Sequence, residues 1–152
     1  KKMKLRSIIL IVLTVSMLSL LVGCCPGNAN CPMKKECNKD VKRFASVIGI
    51  EKEDIPEYTR LHEKVWPKVL KQLKESNISN YSIYLAEVKP DEYYLFSYFE
   101  YIGDNFEADM KAMEDDPATQ KWWDVTEPLQ RPLETREEGE WWMEIPEVFH
   151  ME

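Results

Sequence analysis

Hydrophobic residues follow two different spacings in the second half of the chain. Residues 43–50 (RFASVIGI) are rich in β-branched and apolar side chains, which is typical of a strand. Between residues 55 and 75, hydrophobic residues recur at spacings of three and four, which predicts a helix. Pro67 lies inside this segment and disfavours helical geometry at Trp66. We therefore expect a kink there, or two helices with Pro67 at the first position of the second.

Two further hydrophobic runs lie on either side of a predicted turn. Residues 81–88 (YSIYLAEV) and 93–101 (YYLFSYFEY) predict strands, and residues 89–92 (KPDE) predict the turn between them. The two strands should therefore form a hairpin. Residues 106–113 follow as a short predicted helix, and Asp104 is its expected N-cap.

The last part of the chain predicts a helix, a loop and a strand. Residues 117–126 form the helix, 128–139 the loop, and 141–151 hold a strand that Pro146 breaks or edges. The order is then β-α-β-β-α-β, the ferredoxin-like α+β arrangement of an antiparallel sheet with helices on one face. Because the strands are aromatic, the other face should be apolar. We expect a homodimer that covers this face by packing sheet against sheet.

The start of the chain has the pattern of an export signal. A basic patch precedes the apolar run at residues 8–22, and the run ends in Leu-Val-Gly-Cys, which resembles a lipobox. We therefore predict a lipoprotein signal peptide at residues 1–23 and lipidation of Cys24. The protein would then be anchored to a membrane of the bacterial cell envelope and face the periplasm or the exterior. The alternative is an uncleaved membrane anchor.

A tether and a folded domain are expected after the signal, at residues 24–41 and 42–152. The tether contains Cys25, Cys31 and Cys37, beside Pro, Gly, Asn and charged residues. One disulfide, a metal site or incidental thiols remain open for these cysteines. Their spacing matches no zinc pattern and no His lies nearby, so we expect no metal.

The charge of the chain restricts its partners. The formal net charge is −7 at pH 7. An acidic protein is repelled by nucleic acid, so we expect no nucleic-acid binding. A neutral small molecule suits this charge better.

The chain contains only two histidines, His62 and His150. His62 lies four residues after Tyr58, so both project from one otherwise apolar face of the predicted helix. This position suits a hydrogen-bonded core histidine or a group that transfers protons. His150 lies near the end of the sequence. Glycine-rich nucleotide-binding motifs are missing, as is a Ser or Cys nucleophile with an obvious base.

Two tryptophan pairs, Trp122-Trp123 and Trp141-Trp142, occur in one small domain. Adjacent residues on a helix or strand cannot both face the same core. At least one residue of each pair therefore faces a partner chain, a pocket or water. Tryptophan faces stack on the C–H faces of sugars, and Tyr81 would add a polar tip to such a pocket.

Residues 42–152 resemble the L-rhamnose mutarotases. The resemblance implies a ferredoxin-like dimeric α/β barrel without a cofactor. It implies an isomerase or epimerase of carbohydrates that interconverts the α and β anomers of L-rhamnose or a related 6-deoxy sugar. The matching segments are EYTRLHEKVWPKV (57–69), NYSIYL (80–85), GDNFEADM (103–110), DPATQKWW (116–123) and EGEWWMEIPEVFHME (138–152).

The resemblance also implies roles for individual residues. His62, in the Tyr-x-x-x-His motif that Tyr58 begins, would be the catalytic acid. Tyr58, Tyr81, Trp122 and Trp123 would bind the sugar. Two other functions fit parts of the pattern. A non-catalytic sugar-binding lipoprotein would keep the aromatic residues without needing His62, and a dimeric α+β barrel that handles haem or aromatic molecules also uses a helical histidine.

Overall fold

The computed structural model describes residues 41–151, in which one antiparallel sheet carries helices on one face. The sheet order is β2-β3-β1, and both β4 and β5 pair with the other edge of β1. This confirms the predicted α+β, ferredoxin-like arrangement. The elements are β1 (Lys42–Ile50), α1 (Ile55–Glu63), α2 (Pro67–Glu75), β2 (Ile78–Lys89), β3 (Glu92–Tyr101), α3 (Phe106–Asp115), α4 (Pro117–Thr126), a 3-10 turn (Glu127–Leu129), β4 (Gln130–Arg131) and β5 (Met143–Ile145).

The long helical segment is divided into two helices at the predicted proline. Trp66 has φ −59° and ψ 133°, an extended conformation, and Pro67 is the first residue of α2. The residue before a proline is driven out of helical geometry by contact with the proline ring. Of the two expected outcomes, the structure therefore has two helices rather than one kinked helix.

Two local predictions are wrong. The N-cap of α3 is Asn105 rather than Asp104, because the Asn105 side chain accepts a hydrogen bond from the Ala108 N–H at 3.2 Å. The predicted loop at 128–139 begins with part of the 3-10 turn and with β4, which pairs with β1. This pairing depends on a distant strand, and no local pattern reports it. The last strand ends before Pro146, as expected.

The two faces of the sheet differ in what covers them. Residues directly opposite each other in antiparallel strands share a face, and Ile48 lies opposite Leu95. Both are buried and pack with Tyr58 of α1, so they mark the face that the helices cover. The outer face carries mainly aromatic side chains from β2 and β3: Tyr84, Tyr94, Phe96 and Tyr98.

Candidate active site

A cavity of about 280 Å³ lies between the helices and the helix-covered face of the sheet. Its walls bring together all five sugar-site residues that the sequence indicated. Tyr58 and His62 come from α1, Tyr81 from β2, and Trp122 and Trp123 from α4. Side chains separated by up to 65 positions along the chain therefore meet in one enclosure.

The helix α1 fixes both the position and the tautomer of His62. The rings of Tyr58 and His62 stack with centroids 4.1 Å apart, as the spacing of four residues allows. His62 Nδ1 lies 2.8 Å from the Tyr58 carbonyl oxygen. Because a carbonyl oxygen only accepts, Nδ1 carries the proton and donates it. In neutral His62, Nε2 is therefore the nitrogen that is available to accept a proton.

Burial keeps the His62 ring neutral at neutral pH. Burial lowers the pKa of His62 below its ordinary value of 6.5, and this outweighs the hydrogen bond to Tyr58, which raises the pKa. Desolvation acts in this direction because it disfavours the charged imidazolium. The base form of His62 therefore predominates at pH 7.

Both tyrosines of the cavity keep their hydroxyl protons. Burial raises the pKa of Tyr58 far above its ordinary value of 10.0, and it raises the pKa of Tyr81 to about 12. Tyr81 lines the cavity and still exposes 44% of its surface. Both phenols are hydrogen-bond donors at neutral pH.

An irregularity in β2 positions Tyr81. The register between β2 and β3 shifts between Ser79 and Ser82, and Asn80 adopts a left-handed φ of 47°. Asparagine tolerates this conformation better than most residues, and such irregularities re-aim the side chains beside them. Tyr81 then packs edge-on against Phe99, with ring centroids 5.7 Å apart.

The adjacent tryptophans of α4 have different surroundings, as the sequence predicted. Trp122 is only 7% exposed, and its ring packs edge-on against His62 and Trp66, at 5.3 Å from each centroid. It therefore forms the wall that holds His62. Trp123 is half-buried and lines both this cavity and a neighbouring one of about 350 Å³.

Glu127 and Gln130 line the cavity and were not expected from the sequence, whereas a pocket was one of the surroundings expected for the Trp141-Trp142 pair. Glu127 is the one carboxylate of the cavity among the described residues. Gln130 and Trp141 also line it, and the Trp141 indole donates to Gln130 Oε1 at 2.7 Å. The Trp141-Trp142 pair was a signal for Trp141, but Gln130 fell in the predicted loop. His150 is exposed and lies outside the cavity lining. Within residues 41–151, no group of His, Cys, Asp and Glu side chains could hold a metal ion.

Comparison with known proteins decides the family. The family model described as L-rhamnose mutarotase matches residues 43–151, most of the chain. The chain belongs to the L-rhamnose mutarotase family. It is therefore an isomerase that acts on carbohydrates, as the resemblance implied.

Individual members of the L-rhamnose mutarotase family agree with this assignment. The enzyme of Bacillus subtilis is 33% identical, over 60% of this chain and 82% of the relative. The enzyme of Lactiplantibacillus plantarum is 30% identical, over 72% of this chain and 98% of the relative. A crystal structure of L-rhamnose mutarotase from Formosa agariphila superposes with a TM-score of 0.55, at 23% identity, over 73% of this chain and 99% of that one. This similarity shows a shared fold.

The predicted location in the bacterial cell envelope is contradicted by the comparisons. The match to the mutarotase family begins at residue 43. The aligned region covers 98% of the L. plantarum mutarotase, so that relative has no segment that corresponds to the predicted export signal. In the part of the chain that the structure describes, no helix is long and apolar enough to cross a membrane. The predicted signal at 1–23, the lipidation of Cys24 and nearly all of the tether at 24–41 lie outside the described residues, and the comparisons give no support to a lipid anchor.

Proposed function

We propose that this domain interconverts the α and β anomers of L-rhamnose, or of a related 6-deoxy sugar, by opening and closing the sugar ring. The observation that carries the proposal is His62, whose Nδ1 proton is held by the Tyr58 carbonyl beside a cavity with aromatic walls. This arrangement presents one neutral imidazole nitrogen as a proton acceptor. His62 is the proposed catalytic residue, and Tyr58, Tyr81, Trp122 and Trp123 are the proposed sugar-binding residues.

A single imidazole can carry both proton transfers of the reaction. Nε2 of neutral His62 takes the proton of the anomeric hydroxyl. It then delivers a proton to the ring oxygen as the bond between that oxygen and the anomeric carbon breaks. Both oxygens are attached to the same carbon, so the nitrogen moves little between them. After rotation of the free aldehyde, the same transfers run in reverse and close the ring on the other face. His62 thus acts first as a proton acceptor and then as an acid, and it is neutral again at the end of the cycle.

The lining of the cavity suits a 6-deoxy sugar. The methyl group of such a sugar is best placed against an apolar wall, and Trp122 and Trp123 supply aromatic surface. The hydroxyls of Tyr58 and Tyr81 keep their protons and can donate to sugar oxygens. Glu127, the residue after α4, also lines the cavity, and its carboxylate would accept from a sugar hydroxyl.

Saturation-transfer NMR on the purified chain tests the activity. We expect the α/β exchange of L-rhamnose to run faster than the spontaneous rate, and L-fucose and D-glucose alongside will define the specificity. A folded protein that accelerates none of the three would overturn the proposed activity and favour a sugar-binding function. The matched blank is the same protein after heat denaturation, which controls for trace acid or base.

The pH dependence of the exchange reports the protonation of His62. Because the acceptor form of His62 is neutral, kcat/KM should fall as pH drops through the pKa of His62 in the free protein and stay level above it. Burial lowers the pKa of His62, so the midpoint of this fall should lie below 6.5, the ordinary value of a histidine. The profile is measured by the same NMR exchange, after subtraction of the spontaneous rate at each pH. A rate that rises steadily toward acid pH would contradict the acceptor role.

We also propose that the protein is a homodimer through the outer face of its sheet. Tyr84 of this face is 62% exposed and lies opposite Phe96 on β3, so aromatic surface faces solvent in the single chain. A second copy would bury it. Sedimentation velocity should give the mass of a dimer, and Tyr84→Glu should shift it toward monomer. Leu70→Glu changes an exposed apolar residue on α2 and should leave the dimer intact.

A further inference from the structure

A chain of two hydrogen bonds connects Trp141 to Tyr58 through Gln130. The Trp141 Nε1–H donates to Gln130 Oε1 at 2.7 Å. An indole N–H has no acceptor capacity, so the amide oxygen of Gln130 must face Trp141. The amide nitrogen is then turned the other way, toward Tyr58. The hydrogen bond from Trp141 therefore fixes the orientation of the Gln130 amide, whose oxygen and nitrogen could otherwise be exchanged.

The second hydrogen bond sets the direction of the Tyr58 hydroxyl. Gln130 Nε2 donates to the Tyr58 hydroxyl oxygen over a long distance of 3.4 Å. Pairing of Gln130 with Ile50 holds it beside the core cluster that contains Tyr58. Because the hydroxyl oxygen accepts from Gln130, its own proton is left for another acceptor. All three side chains line the cavity, so that acceptor can be a bound sugar.

We propose that Gln130 is a positioning residue that, with Trp141, aims the hydroxyl proton of Tyr58 at an oxygen of the bound sugar. This inference rests on the proposed mutarotase activity and adds to it the control of one hydrogen-bond donor. During ring opening, negative charge develops on the sugar oxygen that gives up its proton. A donor already directed at that oxygen stabilises the transition state without having to reorient. Tyr58 keeps its proton throughout, so no further proton transfer is needed.

Gln130→Glu separates this role from simple packing. Glutamate has nearly the same shape, but its carboxylate accepts from both Trp141 and Tyr58, so it turns the Tyr58 proton away from the cavity. We expect kcat to fall roughly 10- to 100-fold, about as far as in Tyr58→Phe, with a smaller change in KM. Trp141→Phe, which introduces no charge, frees the amide of Gln130 to flip and should lower kcat by a smaller factor.

The decisive comparison uses the Tyr58→Phe background. Without the hydroxyl, Trp141→Phe should have no further effect on kcat, because there is no proton left to aim. Equal losses in both backgrounds would show that Trp141 and Gln130 only support the fold, and this outcome would overturn the inference. Gln120→Glu, an exposed glutamine on α4, is the matched control and should leave kcat unchanged.

A measurement without sugar tests the hydrogen bonds themselves. In a ¹⁵N–¹H spectrum, the Trp141 indole resonance should move upfield in Gln130→Leu and stay near its wild-type position in Gln130→Glu. An indole resonance that Gln130→Leu leaves unmoved would overturn the inference, whatever the activity. If the wild-type protein accelerates no sugar, the proposed function fails, while this spectrum still decides whether the hydrogen bond between Trp141 and Gln130 exists.

Discussion

Replacing His62 with alanine is expected to lower the catalysed exchange of L-rhamnose anomers by about 10²- to 10⁴-fold, the usual contribution of a general acid–base group. The reason is that His62 is the one histidine in the lining of the cavity, and burial lowers its pKa, so that its neutral form can accept a proton near pH 7. The phenol of Tyr81 holds its proton up to about pH 12, so it cannot replace the imidazole as a base. The rate should approach the spontaneous one.

His150→Ala is the matched control for this experiment. It removes the other histidine, which is exposed and lies outside the cavity, so the exchange rate should not change. His62 also packs against Tyr58 and Trp122, so the variant must be shown to be folded by its urea unfolding curve. A folded His62→Ala protein with wild-type exchange would remove His62 from the mechanism, and another group would have to accept the proton.

Local sequence was sufficient for most of the fold. Pro67 predicts a helix boundary because a proline restricts the residue before it, and this effect acts whatever the rest of the chain does. The hairpin of β2 and β3 follows from two adjacent hydrophobic runs around a turn. By contrast, β4 exists only because Gln130 and Arg131 meet the edge of β1, about eighty positions earlier in the chain. A two-residue strand of this kind leaves no periodic pattern.

The sequence indicated five residues that the structure brings together in one cavity, but it did not indicate their protonation. The spacing of Tyr58 and His62 places both on one helix face, and the resemblance to the mutarotases implied which of them would exchange protons. The resemblance made His62 an acid. The hydrogen bond from Nδ1 and the lowered pKa add that the ring is neutral before it acts, which fits the proposed mechanism, and both depend on packing around the ring. The spacing of residues along the sequence does not show how deeply the His62 ring is buried.

The tandem tryptophans of α4 should respond very differently to truncation. Trp122 is 7% exposed and packs against both His62 and Trp66, so Trp122→Ala opens a large hole between α1, α2 and α4. We expect the free energy of unfolding to fall by about 3–5 kcal/mol, which is a large share of the stability of an ordinary domain. Exchange activity should fall with it, because the wall that positions His62 is lost.

Trp123→Ala is the matched comparison, since it removes the same side chain one position further along the helix. Trp123 is half-buried at the cavity, so its loss should cost much less stability and should mainly raise KM for the sugar. Urea unfolding followed by far-ultraviolet circular dichroism measures both variants without relying on tryptophan fluorescence. Equal losses of stability in the two variants would contradict this prediction and show that both tryptophans mainly support the fold. A larger loss of stability in Trp122→Ala, with sugar affinity lost in Trp123→Ala, would instead show that Trp122 mainly holds His62 in place and that Trp123 mainly binds the sugar.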